Sequence, residues 1–338
     1  RSGFTLIELL ITITIIGIMA SMILFALYGA GEAAKTAKTR SRVTKLSNIV
    51  AARYEAYRTR RVPTQFVDEQ YTDTNMNGIW DSGEPLTDAN GNSVWDYNTR
   101  TRAKVRLDAL RDLMRMELPD RWTDVVDPPM ELKELRVGGV PVAVARPALS
   151  QAYLRRYNQA SAHPNINIHE AAECLYMIVM EAIGEDADAR EVFKAGDSAD
   201  TDGDGLREFV DGWGKPIYLV RWPVGFQSDL VQMPMGTVFD TFDSMHVYPI
   251  SLPPSVRAPD LLTKGDVFSM QPLVYSAGPD GVYGIIRDRV PPIHYTDSTY
   301  KLNPYFDPSP DKIIGAPDTT VAPGAWNDNV HSHALMVR

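Results

Sequence analysis

The sequence predicts an α+β fold: a long N-terminal helix, membrane-spanning in its first half and amphipathic in its second, packed on a C-terminal antiparallel sheet, with helices and acid-rich loops inserted between. Three observations carry this. Residues 4–28 hold one charged side chain, Glu8, in an otherwise apolar run. Residues 31–61 contain no proline and repeat their apolar positions at helical spacing. Beyond Asp211 the chain breaks into short β-branched and aromatic runs bounded by Gly, Pro and Asp.

The composition narrows the function. The chain has 338 residues and a net charge of −9, whereas binding a phosphate backbone needs a clustered basic surface, so nucleic acid is not expected as a partner. Cys174 is the only cysteine. It excludes an intramolecular disulfide and a multi-cysteine zinc site, and within "ECLYMIVM" it reads as a small buried hydrophobe.

Residues 4–28 are long enough to cross a bilayer, at about 37 Å for 1.5 Å per residue. A secretory signal peptide has a shorter apolar region followed by a small-residue cleavage site. The second half continues the helix, with Val43, Leu46, Ile49, Val50, Arg53, Tyr54 and Tyr57 on one stripe, and the helix is expected to run on until just before Pro63. A carboxylate in a lipid-facing helix costs a few kcal/mol at the helix centre, so Glu8 requires a partner.

Gly3-Phe4-Thr5-Leu6-Ile7-Glu8, followed by a full-length apolar run, resembles the processing site of type IV pilins and type II secretion pseudopilins. The resemblance implies cleavage after Gly3 by a prepilin peptidase and N-methylation of the new N-terminal Phe4. Arg1 would then end a basic leader. It also makes Glu8 the fifth mature residue, paired during assembly with the Phe4 α-amino group of a neighbouring subunit. Gly17 matches a common family position, and Phe25 stands where many members have a helix-kinking proline.

The middle of the chain carries loops with calcium spacing. In "DTNMNGIWDSGE", Asp73, Asn75, Asn77, Ile79, Asp81 and Glu84 occupy positions 1, 3, 5, 7, 9 and 12 of an EF-hand-type loop, with Gly78 at the sharp turn. In "DTDGDGLREFVD", Asp200, Asp202, Asp204, Leu206, Glu208 and Asp211 take the same positions, with Gly205 at the turn. Ile79 and Leu206 would offer backbone carbonyls. Asp88, Asn90, Asn92 and Asp96 form a weaker set, with Thr99 at position 12. Asp/Asn/Gly runs also favour plain turns, but the full pattern occurs twice. No strong helix enters the Asp73 loop, so Ca2+ loops on another scaffold are expected rather than helix–loop–helix pairs.

Residues 101–118 and 146–160 and the run "IHEAAECLYMIVMEAIG" are predicted helices, the last one buried; "ELRVGGVPVAVARP" is a hairpin or an irregular apolar loop. Strands are predicted in "GKPIYLVRWPV", "SMHVYPI", "DVFSMQPLVYSAG" and "GVYGIIRDRV", with a closing strand in "HSHALMVR" that places His331 and His333 on one face without metal spacing. Residues 290–330 read as an extended loop. Two phrases, Asp211-Gly212-Trp213-Gly214-Lys215-Pro216-Ile217-Tyr218 and Val274-Tyr275-Ser276-Ala277-Gly278-Pro279-Asp280-Gly281, resemble motifs of the type II secretion major pseudopilin, in the same order.

The organisation expected is a leader end at 1–3, a transmembrane half-helix at 4–28, an amphipathic half at 29–62, a calcium-loop region at 63–100, a helical insertion at 101–196, and a calcium loop with the β region at 197–338. No nucleophile elbow, His-Glu-x-x-His or phosphate-binding glycine loop is present, so a non-enzymatic role is expected. The resemblance implies a pseudopilin subunit in the inner membrane with a periplasmic head. Its implied partners are other pilin or pseudopilin subunits, the prepilin peptidase and the inner-membrane secretion platform. A minor or tip pilin serving adhesion or DNA uptake is the alternative, and a membrane-anchored calcium-binding surface protein is a third.

Overall fold

In the computed structural model, helix α1 (Leu6–Ala56) runs for 51 residues, about 75 Å. The structure describes residues 5–62, 70–78, 80–88, 93, 95, 99–127, 134–137, 140–143, 146–181, 192–226, 228, 230, 240–245, 269–287, 314–318, 320–321 and 324–336. After α1 come α2 (Thr99–Glu117), α3 (Trp122–Val126), a hairpin of β1 (Glu134–Val137) and β2 (Val140–Ala143), α4 (Ala148–Ala160) and α5 (Glu170–Glu181). A second hairpin pairs β3 (Ser198–Ala199) with β4 (Glu208–Phe209). An antiparallel sheet then orders β5 (Tyr218–Val220), β6 (Leu273–Ser276) and β7 (Val330–His331), and α6 (Ser332–Met336) follows.

The two halves of α1 meet different surroundings. Every residue from 5 to 31 is exposed, and α1 is the one helix among the described residues long and apolar enough to span a bilayer. Thr12, Thr14 and Ser21 donate their hydroxyls to the Leu9, Leu10 and Ile18 carbonyls at 2.7–2.8 Å, so these hydroxyls do not rely on water. In the second half Thr39, Arg42, Val43, Leu46, Ser47, Val50 and Tyr54 turn inward at the predicted period, while Ile49 and Arg53 are half-buried at its margin. The helix stops at Ala56, short of residue 62. There Tyr57 and Arg60 swing onto Glu117 of α2, with Tyr57 Oη donating at 2.6 Å and Arg60 at 2.8 Å.

The helical section and the sheet share one core. Val43, Leu46 and Val50 of α1 cluster with Leu110 and Met114 of α2, Tyr153 of α4, Leu175 and Ile178 of α5, Leu219 of β5 and Val274 of β6. Alternation along the strands sends Tyr218, Val220, Leu273 and Tyr275 to the opposite face, where Ile285 and Ile314 cover them. Cys174 is buried, as the sequence implied.

Three predicted strands differ from the structure. Ser244 and Met245 are not extended into a ladder, and residues 246–250 lie outside the described residues. Residues 281–287 make an isolated bridge, Ile285 to Pro317, in place of a strand. The closing segment is a strand only over Val330–His331 and then turns into α6, because Ala334, Leu335 and Met336 are good helix formers and the turn carries His333 inward.

His333 shows what this turn achieves. Its ring is 1 % exposed, with Nδ1 2.7 Å from Ser228 Oγ and Nε2 3.2 Å from the Gln271 and Pro272 carbonyls. Burial, with His331 nearby, pulls its pKa down to about 4 although both carbonyls favour the cation. The folded pKa lies below the unfolded value of about 6.5, so the neutral ring contributes fully above that value and the contribution is lost as pH falls toward 4. In melting curves from pH 7 to 4, the stability advantage of wild type over His333→Gln is expected to shrink across that window. A constant difference would contradict the neutral-ring assignment.

Candidate functional site

At the start of α1, Glu8 closes a capping box with Thr5. The Thr5 backbone N–H and hydroxyl donate to Glu8 Oε2 at 2.9 and 2.8 Å, and Glu8 N–H donates to Thr5 Oγ1 at 3.4 Å. The carboxylate therefore sits on the positive end of its own helix. Gly3 and Phe4 lie outside the described residues.

The Asp73 loop is exposed and closed on itself. The Tyr71–Leu86 bridge joins its ends, in place of the flanking helices of an EF-hand. Asp73 accepts from the Asn77 and Gly78 amides at 3.2 and 2.7 Å. Glu84 accepts from the Thr74 and Asp81 amides at 2.8 and 3.0 Å, and Asp81 accepts from the Asn75 and Asn77 side chains, both at 2.7 Å. Gly78 has φ +79°, the left-handed conformation that the sixth loop position requires. Ile79 lies outside the described residues, as do Asn90, Asn92 and Asp96; Asp88 accepts from Ser93 N–H at 2.6 Å.

The Asp200 loop forms the tip of the β3–β4 hairpin. Asp200 spends both oxygens on the Gly203 and Gly205 amides, and those glycines adopt φ +80° and +96°. Asp202, Asp204 and Glu208 each give one oxygen to a loop amide, of Asp204, Leu206 and Thr201 respectively. Their other oxygens, Asp202 Oδ2, Asp204 Oδ2 and Glu208 Oε1, are buried without a hydrogen-bond partner. Leu206 is buried. Asp211 lies apart from this group: its carboxylate accepts from Ser276 Oγ at 2.6 Å and from the Trp213 and Lys215 amides at 2.8 and 2.9 Å.

A residue that spacing did not indicate completes the cluster. Glu173 projects from α5, is 1 % exposed, and has neither carboxylate oxygen hydrogen-bonded. Glu173, Asp202, Asp204 and Glu208 each offer an oxygen, all within 4.8 Å of one another. Burial, then Asp204 and Glu208, push the Glu173 pKa up to about 10. Burial also raises Glu208 to about 7 and lifts Asp204. Five buried oxygens, both of Glu173 with Asp202 Oδ2, Asp204 Oδ2 and Glu208 Oε1, have no hydrogen-bond partner, and a bound cation would satisfy them. The cluster can hold a metal ion, and its all-carboxylate donors belong to hard-cation chemistry.

Residues 1–24 match the family model for the prokaryotic N-terminal methylation motif. No curated protein and no solved structure matches the chain. The motif together with the apolar helix from Leu6 supports a type IV pilin-like protein, a single-pass structural subunit processed by prepilin peptidase and assembled with other pilin subunits.

Proposed function

We propose that the chain is a filament-forming pseudopilin of a type II secretion system. It is cleaved after Gly3, methylated on Phe4, held in the inner membrane with its head in the periplasm, and drawn into a pseudopilus through its N-terminal helix. The observation that supports secretion over a pilus is the meeting of the two pseudopilin-like phrases. Ser276 Oγ reaches Asp211, Tyr218 pairs with Tyr275, and the turn between Asp211 and Lys215 lies on α1. There Gly212 has no room for a side chain, since a Cβ would stand 2.3 Å from the Lys35 carbonyl oxygen, and Trp213 Nε1 donates to Glu32 at 2.8 Å.

The head is stabilised by Ca2+. Oxygens on opposite sides of a Ca2+ ion stand about 4.6–5.2 Å apart, which the 4.8 Å spread of the α5 and Asp200-loop carboxylates accommodates. The Asp73 loop is a second, exposed calcium loop, and the Asp88 set a weaker third.

Disruption of the gene in its host tests the secretion reading. Exported proteins are expected to accumulate in the periplasm, with restoration by the wild-type chain. Intact secretion with loss of adhesion or DNA uptake would favour the minor-pilin reading, which the large head supports.

A further inference from the structure

The hairpin whose tip carries the acids holds α1 at its base. Arg42 of α1 is buried, and its guanidinium spans both legs of the hairpin. Ahead of β3 it donates to the Gly196 carbonyl at 2.8 Å and pairs with the Asp197 carboxylate. After β4 it donates to the Val210 and Asp211 carbonyls at 2.6 and 3.0 Å. Val210 N–H closes the base on the Asp197 carbonyl at 3.0 Å, and Gly212 N–H donates to Thr39 Oγ1 at 2.8 Å. Each strand of the hairpin is only two residues long, so few ladder bonds hold it together. Glu208 lies in β4, two residues from the Val210 carbonyl that grips Arg42.

The other side of the cation cluster is fixed. Glu173 sits on α5, whose Leu175 and Ile178 share the main core with α1. Apolar contacts already seat the hairpin on α5, with Leu206 and Phe209 in the same core and the Phe209 ring 5.2 Å from that of Tyr176. The buried carboxylates at its tip oppose that seating unless protons or a cation neutralise them.

We propose that a divalent cation bound by Glu173, Asp202, Asp204 and Glu208 locks the β3–β4 hairpin onto α5 and so tightens the grip of the head on Arg42 of α1. The site is a cation-dependent clamp between head and assembly helix. This rests on the calcium reading above and adds the Glu173 ligand and the coupling to α1. Its position suits a filament subunit, because any force that draws α1 out of the bilayer must pass through the joint between α1 and the head. Calcium is plentiful outside the cytosol, and loops of this kind in extracellular modules bind it weakly, in keeping with that supply.

The test uses the full chain in detergent micelles, titrated with CaCl2 or stripped with chelator. Calorimetry reads binding, and amide hydrogen exchange reads the clamp. Calcium is expected to slow exchange in residues 196–212 and in residues 36–46 of α1 by about 5- to 150-fold, leaving α4 unchanged. Glu173→Gln is expected to weaken calcium binding at least about tenfold, the loss of some 1.4 kcal/mol, and to abolish both protections. By reciprocity, Arg42→Gln must weaken calcium binding by the factor with which calcium tightens the clamp. Asp197→Asn, which leaves Arg42 in place, should weaken it in the same direction if Arg42→Gln does not fold. Calcium binding that needs Glu173 but moves no α1 amide, with affinity unaltered at Asp197→Asn, would overturn the clamp and leave the calcium reading standing. Absence of calcium binding would overturn both.

Discussion

Glu8→Ala is expected to leave cleavage after Gly3 and membrane insertion intact while reducing incorporation into filaments at least about tenfold, the loss of a contact worth some 1.4 kcal/mol. In the proposed assembly, cleavage exposes the Phe4 α-amino group, and in an apolar bundle of helices the Glu8 carboxylate of a neighbour would be the charge that neutralises it. Removing one member of a buried pair leaves the other uncompensated, which costs about 3–5 kcal/mol. The capping box gives Glu8 a different role in the monomer, where Thr5 satisfies the carboxylate before a neighbour is present. Thr5→Val separates the two roles. It removes the side-chain cap, worth about 1 kcal/mol, but leaves the carboxylate free to pair, so filaments should still form. Immunoblots of sheared filaments against membranes read both variants. Normal incorporation of Glu8→Ala would reduce Glu8 to a helix cap.

Arg221→Met is expected to destabilise the head by about 3–5 kcal/mol, or roughly 6–20 °C in melting temperature. Arg221 is 1 % exposed. Its guanidinium donates to the Leu118 carbonyl at 2.8 Å and to Asp124 at 2.7 Å, and its backbone N–H donates to Asp120 at 2.9 Å. It lies 4.3 Å from the Trp222 ring centroid. Burial alone would raise the Asp120 pKa, yet Arg121 and Arg221 hold its carboxyl well below the usual carboxylate range. Methionine keeps the stem volume, so the loss measures the charge. It leaves the fully buried Asp124 facing the more distant Arg121 at 3.8 Å. Adding Asp124→Asn should recover part of the loss. The effect is large because this network joins the residues around α3 to the start of the sheet. A change under about 1 kcal/mol, the worth of an exposed pair, would show that the network does not hold that joint.

Two acids show how far the sequence could be read. Glu8 stood out because an apolar helix surrounds it, and its need for a partner charge follows from the sequence alone. Glu173 gave the same signal, an acid inside the apolar run "EAAECLYMIVM", but its partners lie in a loop beginning at Asp200, and only the packing of α5 against β4 brings them together. Loop spacing singled out Asp202, Asp204 and Glu208 as candidates, since alternate oxygen side chains around a glycine turn are a local pattern, and the structure brings an oxygen of each together. It could not foresee that Asp200 would be taken up by the loop amides, or that Asp211 would serve Ser276. The amphipathic face of α1 was legible because helical period is local. The short strands were less so: two- to four-residue strands are set by neighbours distant in sequence, and the Ala-Leu-Met run after His333 followed its helical propensity.

Assembly through the Phe4–Glu8 pair is tested most directly at the N-terminus. Mass spectrometry of the chain recovered from its host's envelope is expected to show a mature protein that begins at Phe4 and carries one methyl group on its α-amine. A chain that keeps Gly3, or that is cut beyond Glu8, would contradict that pairing.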